Sequence, residues 1–173
     1  MQIQNLITDR LILAPYTKEI GRDILAGDYH KLYDLGFNLA RGWPDAVALD
    51  TIPRILINLE KVSAPTGFET WMIVKKEGMQ VIGDAGFKGV PDGDGAVDIG
   101  YGIIKEEHKK GYALEAAQAL VNWAFLQPQV KKITAKCLIA NIASANVLRK
   151  LRFIEILRNE EMIYWQLLKD VKV

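Results

Sequence analysis

The sequence predicts a mixed α/β fold, a sheet carrying helices on its faces. Three observations predict it. Thr70 to Lys75, Val81 to Gly89 and Ala96 to Ile104 read as successive strands separated only by turn residues, which is an antiparallel meander. Tyr112 to Leu126 then reads as a helix leading to a strand at Lys132 to Ile139, a crossover back into the same sheet. Before the meander, helical periodicity dominates. The complete order is β-α-α-α-β-β-β-α-β-α-β-β.

Leu11 to Pro15 is the first strand, closed by Pro15. Thr17 caps a helix over Lys18 to Leu25, because its hydroxyl can accept from a free N–H of the first turn. A short helix follows around Tyr29 to Leu35. Gly36 to Leu49 reads as irregular and holds Trp43-Pro44. The next helix runs over Asp50 to Val62, with Ile52, Ile55, Leu56 and Leu59 on one face, and Ser63 to Gly67 breaks it. Lys76 to Met79 and Pro91 to Gly95 are the meander turns. Ala113, Ala117, Leu120, Val121 and Ala124 give the long helix its apolar stripe. A helix over Ala143 to Leu151 and strands over Phe153 to Arg158 and Met162 to Leu168 complete the chain.

At 173 residues, half apolar and a quarter charged, the chain reads as one domain over 1–173. A net charge of +1 gives no global field for nucleic acid or a membrane, so neither is an expected partner. The single cysteine, Cys137, excludes an internal disulfide and a cysteine-based zinc site. No metal is expected. Asp92, Asp94 and Asp98 lack the glycine and closing glutamate of a calcium loop and read as hairpin chemistry. The opening residues lack a signal-peptide pattern, no apolar run approaches a membrane span, and a cytoplasmic location is expected.

The most informative segment is Ile99 to Ala117. A strand ends at Ile104, a basic turn follows with Lys105, His108, Lys109 and Lys110, and a helix opens at Gly111-Tyr112. The first N–H groups of a helix have no intrahelical partner and its dipole is positive there. Main-chain amides from His108 to Ala113 therefore form a cradle for the pyrophosphate of a nucleotide cofactor, and Gly111 admits it close to the backbone.

The same residues resemble the GNAT superfamily of acyl-CoA-dependent N-acetyltransferases, in particular its ribosomal-protein-alanine-acetyltransferase-like branch. Thr8-Asp-Arg-Leu-Ile-Leu13 is similar to that branch's opening strand, and Val81-Ile-Gly83 with Gly86 to its central hairpin. Ile99-Gly-Tyr-Gly-Ile103 with His108-Lys-Lys-Gly-Tyr-Ala-Leu-Glu-Ala116 resembles its cofactor motif, and Asn141 to Leu151 with Phe153 its late helix. Two positions depart from the pattern. His108 stands where Arg or Gln is usual, and Arg152 where a helix-ending Gly is usual.

The resemblance implies a mostly antiparallel seven-stranded sheet flanked by helices and splayed between its fourth and fifth strands. Acetyl-CoA would lie in that gap as acetyl donor. Its pantetheine would pair with Tyr101 to Ile104, and the N–H of Ile103 would polarise the thioester carbonyl. Ile103, Ile104, His108, Lys109, Lys110, Gly111, Tyr112, Ala113, Asn141, Asn146 and Arg149 are the implied cofactor contacts.

The acceptor would be an amine, of a small molecule or of a protein N-terminus, attacking the thioester directly. A carboxylate must take its proton: Asp98 is the first candidate, Asp84 the second and Glu115 the third, each with a structural carboxylate as the alternative. Leu148 stands where many members carry an acidic tyrosine, which leaves Ser144 as a proton donor for the thiolate; helix capping is the competing role for Asn141 and Ser144. Trp43 would line the acceptor site, with anchoring of its loop as the alternative. A catalytically silent CoA-binding sensor on the same fold is the rival function, and monomer and homodimer are both open.

Overall fold

Strand pairing in the computed structural model, which describes residues 3–170, follows the meander and crossover read from the sequence. The elements are β1 (Leu6–Ile7), β2 (Leu11–Pro15), α1 (Lys18–Leu25), α2 (His30–Asp34), β3 (Asn38–Leu39), α3 (Ala46–Leu59), β4 (Thr70–Lys75), β5 (Gln80–Phe87), β6 (Ala96–Ile103), α4 (Tyr112–Leu126), β7 (Lys132–Leu138), α5 (Ile142–Lys150), β8 (Ile154–Arg158) and β9 (Met162–Leu168). Spatial order across the sheet is β1-β2-β4-β5-β6-β7-β9-β8, with β3 beside β5. Among the described residues only β6–β7 and β3–β5 are parallel; the other pairings are antiparallel.

The seven longer strands are the expected ones; β1 and β3 are two-residue additions. β3 runs parallel to Gln80 and Val81, on the stretch of β5 that β6 does not reach. It fastens the 36–45 loop to the sheet beside the far end of β6. The second difference is α3, which starts at Ala46 and not at Asp50. Asp45 caps it, its carboxylate accepting from the Ala48 N–H at 2.8 Å. Starting at Asp50 would have kept Pro53 in the first turn, where a missing N–H is free. The cap and the burial of Ala48, Ile52, Ile55 and Leu59 outweigh one lost helical bond.

Side chains of β6 alternate between two faces. Val97, Ile99 and Tyr101 face α4 and α5. On that side Trp71, Phe68 and Phe87 gather around Trp123 of α4, with ring centroids 5.1–6.0 Å apart. Cys137 is buried there and accepts the Trp165 indole N–H at 3.3 Å. Asp98, Gly100 and Gly102 lie on the other face, where Asp45 of the 36–45 loop comes near Asp84. Arg152 ends α5 with φ +65°, and the N–H of Phe153 reaches back to the Leu148 carbonyl at 3.0 Å. That left-handed closure is the one glycine usually supplies, at roughly 1–2 kcal/mol for an L-residue.

Candidate functional site

β6 and β7 pair only over Ala96–Asp98 and Lys132–Thr134, then diverge. The N–H of Ile104 donates to Ile82 and the carbonyl of Asp98 accepts from Lys88, so the even-numbered backbone groups of β6 face β5. By alternation the Ile99 carbonyl, both backbone groups of Tyr101 and the N–H of Ile103 point into the gap, while the Ile103 carbonyl is met by the His108 ring. The gap encloses a cavity of about 300 Å³, lined by Ile99, Tyr101, Cys137, Asn141, Ser144 and Leu148 among others. An unpaired strand edge of this kind can accept an extended amide-bearing chain.

The edge runs directly into the predicted bend. A 3-10 turn over Lys105–Glu107 leads to Lys109 at φ +63° and Gly111 at φ +85°, and α4 opens at Tyr112. Among the described residues, the backbone N–H groups of Lys109, Lys110, Gly111, Tyr112 and Ala113 donate to no acceptor. Five unpaired donors on one bend, ahead of a 15-residue helix, suit a multiply charged anion.

Two expected contacts are corrected here. Ile104 has both backbone groups engaged, its N–H with Ile82 and its carbonyl with Glu107, and its side chain is buried. His108 spends its N–H on the Lys105 carbonyl at 3.1 Å, and its ring Nε2 lies 2.8 Å from the Ile103 carbonyl. A carbonyl only accepts, so Nε2 carries a proton and spends it on Ile103, and neither this donor nor the backbone N–H is left for a phosphate. The local charge is also smaller than the sequence suggests. Glu107, buried in the turn, binds Lys75 at 3.1 Å and Lys110 at 2.7 Å. Burial opposes its ionisation, but these two lysines prevail and hold its carboxyl below the usual range. Lys105 and Lys109 make no ion pair among the described residues.

The three carboxylates separate by environment. Asp98 is committed: Lys88 pairs with one oxygen and the Thr134 hydroxyl donates to the other at 3.2 Å. Glu115 lies in the first turn of α4, bound by Thr8 and Arg10. Asp84 is different. It sits opposite Met72 and Gly102 on the β4–β5–β6 face, partly accessible, with no hydrogen bond to the described residues. Loss of hydration, then the nearby charge of Asp45, pushes its pKa up to about 7. In the next row Tyr16, Thr70, Gly86 and Gly100 stand side by side. A Cβ on Gly100 or Gly102 would meet nothing within 4 Å, so both glycines border open space beside Asp84.

Two groups near this recess were not legible in the sequence. Tyr16 is fully buried, its hydroxyl has no partner among the described residues, and burial and then the Asp84 charge push its pKa well above the ordinary tyrosine value. Its only signal would have been the row it shares with Gly86 and Gly100, which requires the strand register. Tyr101 is the other. Its hydroxyl lies 3.1 Å from both the Ser144 hydroxyl and the Ser144 carbonyl, inside the gap. Burial dominates, the Ser144 hydrogen bond opposes it, and the pKa is pushed up to about 12.

Ser144 and Asn141 line the cavity, and Asn141 uses its carbonyl oxygen to cap α5 on the Ser144 N–H at 3.0 Å. Asn146 and Arg149 are exposed and bond each other at 3.0 Å, with Arg149 lying over Trp165. Trp43 is only 4% exposed and belongs to the core; its indole N–H is buried with no partner among the described residues. It serves as the anchor of the loop, which was the alternative to an exposed wall.

Among the described residues no helix is long and apolar enough to cross a membrane. The acetyltransferase (GNAT) domain family matches residues 10–154. The uncharacterized N-acetyltransferase YjdG of Bacillus subtilis (strain 168) is 37% identical over 138 residues, spanning 80% of this chain and 82% of that protein. Among solved structures, RimL, a ribosomal alpha-N-protein acetyltransferase in complex with coenzyme A, superposes with a TM-score of 0.71 at 16% identity, covering 96% of this chain and 99% of the other. A ribosomal-protein-alanine acetyltransferase from Vibrio fischeri gives 0.69 at 16%, covering 97% and 98%. These two likenesses speak to the fold; the family match and the close relative speak to descent. With the splayed β6–β7 edge and the open bend beside it, they lead to one conclusion: the chain belongs to the GNAT acetyltransferase family and is an N-acetyltransferase.

Proposed function

We propose that the protein transfers the acetyl group of acetyl-CoA to a primary amine, of a small molecule or a protein N-terminus, by direct attack. The observation that carries this reading is the continuity of the unpaired β6 edge with the free N–H groups of Lys109 to Ala113. One feature offers partners to an amide-bearing arm, the other to a diphosphate, in the order in which CoA carries them. Acetyl-CoA supplies the thioester that the amine attacks.

The residues divide the remaining work. The N–H of Ile103 points into the gap and serves as donor to the thioester oxygen as charge develops there. Asp84 is the base. An α-amino group with a pKa of about 7.7–8.0 is closely matched to a carboxylate pushed up to about 7. Its proton passes to Asp84 directly or through a water in the recess over Gly100 and Gly102. Asp98, held by Lys88 and Thr134, fits a structural role at the point where the strands part. On the thiolate side, Ser144 with Tyr101 behind it replaces the missing helix tyrosine. Tyr101 stays protonated across the working pH range, donates to the Ser144 carbonyl and shares a hydrogen bond with the Ser144 hydroxyl, which holds Ser144 in the gap.

The test has two parts. Calorimetric titration with acetyl-CoA should show one site per chain. Thiol release should then be measured against aliphatic amines, aminoglycosides, amino-acid amides and peptides with free N-termini. Folded protein that binds no acetyl-CoA sinks the proposal. Tight binding with no turnover on any amine would favour the CoA-binding sensor.

A further inference from the structure

The Thr8-Asp-Arg10 triplet has no part in the chemistry above, yet it is fastened to the anion-binding bend from the far side. The Arg10 backbone N–H and its Nε bind the two oxygens of Glu115, at 2.9 and 2.7 Å, and Nη2 lies 2.7 Å from the second oxygen. Thr8 adds a hydroxyl to Glu115 at 2.6 Å. Burial opposes ionisation of Glu115, and these bonds outweigh it, holding its carboxyl below the usual range. The remaining arm of the fork, Nη1, donates to the Lys110 carbonyl at 2.9 Å, and the guanidinium lies 4.6 Å over the Tyr112 ring.

The bond to Lys110 has a consequence for the next residue. The Lys110–Gly111 peptide is trans, so the Lys110 carbonyl and the Gly111 N–H point in opposite directions. We propose that Arg10 is a positioning residue for diphosphate binding: by holding the Lys110 carbonyl on its own side, it turns the Gly111 N–H outward to the ligand. Glu115 and Tyr112 in turn fix the guanidinium. Without this hold, nothing on that side opposes rotation of the peptide, because glycine accepts either orientation. The rotated form would present a carbonyl oxygen to an anion. Stabilisation of the fold is a poor explanation for the arrangement, since the Arg10 side chain is 47% exposed and exposed ion pairs contribute little. A fork with each arm engaged also explains why lysine would not serve.

The inference rests on the acetyl-CoA reading, and the experiment separates the two. CoA is titrated calorimetrically into wild type, Arg10→Met and Arg10→Lys, with ¹⁵N spectra following the Gly111 amide and thermal melts following the fold. Wild type should bind CoA with a large downfield shift of the Gly111 amide. Both variants should keep a near wild-type melt, lose that shift and bind CoA about ten- to hundredfold more weakly, the weight of a hydrogen bond to a charged group. Wild-type protein that fails to bind CoA overturns the acetyl-CoA reading. Variants that bind CoA as tightly as wild type, or that keep the Gly111 shift, overturn the role of Arg10. Arg10→Lys behaving as wild type while Arg10→Met fails would show that charge alone acts and would equally reject the peptide-orienting role.

Discussion

The bend after β6 and the recess over its glycines lie at one strand, yet they are built in opposite ways. The bend takes its donors from consecutive residues, Lys109 to Ala113, and backbone geometry makes the site. The recess takes Tyr16, Asp45, Asp84 and Gly100 from four separate segments, and side-chain surroundings make it. The first needs only N–H groups without partners. The second needs a carboxylate deprived of water by elements that meet only in the folded chain. A ligand common to a whole family can be held by main chain; an acceptor particular to one member has to be met by side chains.

The sharpest way to break this contrast is Asp84→Asn. It should lower kcat by about 10²–10⁴-fold, the usual weight of a general base, with CoA affinity unchanged. In wild type the carboxylate must be ionised to accept a proton, so kcat/KM should fall as pH drops through about 7. The variant should lose that limb. Its stability should move the other way. A carboxyl whose folded pKa is raised is destabilising once ionised, so the variant should melt higher than wild type above pH 7. The gain should close as pH falls toward the ordinary carboxylate range of about 4. A variant retaining full activity removes Asp84 as base.

Next in size is Gly111→Val. A side chain at φ +85°, 3.3 Å from the Arg10 guanidinium, should distort the bend. Strain of about 1–3 kcal/mol corresponds to about ten- to hundredfold weaker CoA binding by calorimetry. Gly102→Val sharpens the comparison from the other side, because there the glycine provides space and not backbone freedom. It should cost about tenfold or more in kcat/KM for the acceptor and leave the CoA Kd alone. Equal effects of these two glycine variants on CoA and acceptor would erase the distinction. Tyr101→Phe should lower kcat by about tenfold or less, since Ser144 remains in place and a thiolate leaves readily. The smallest effect belongs to Asp98→Asn, within about threefold of wild type, as for an ion pair near the surface. A large loss there would return Asp98 to the role of base.

Much of this was readable in the chain. The meander was legible because its turns are short and its strands alternate, and the late helices because they follow simple apolar periods. β1 and β3 were not, because two residues carry no period. The start of α3 was missed because two aspartates, Asp45 and Asp50, both offer a cap, and only the packing of Ala48 selects the earlier one. At the site, the bend was legible through Gly111 and the basic turn. The ranking of the carboxylates was not, since Asp84 and Asp98 look alike until Lys88, Thr134 and Asp45 are in place.

By itself the sequence determined the fold class, the family and the position of the bend that opens α4. Each rests on interactions between near neighbours, where residue type and spacing are enough. Tertiary structure alone decided which carboxylate loses its water, that His108 and Ile104 are already engaged, that Tyr101 meets Ser144, and that Arg10 reaches Lys110 across 100 residues of chain. Those outcomes depend on the local electrostatic surroundings and on hydrogen-bond partners brought together from distant segments, and neither exists until the strands have taken their register.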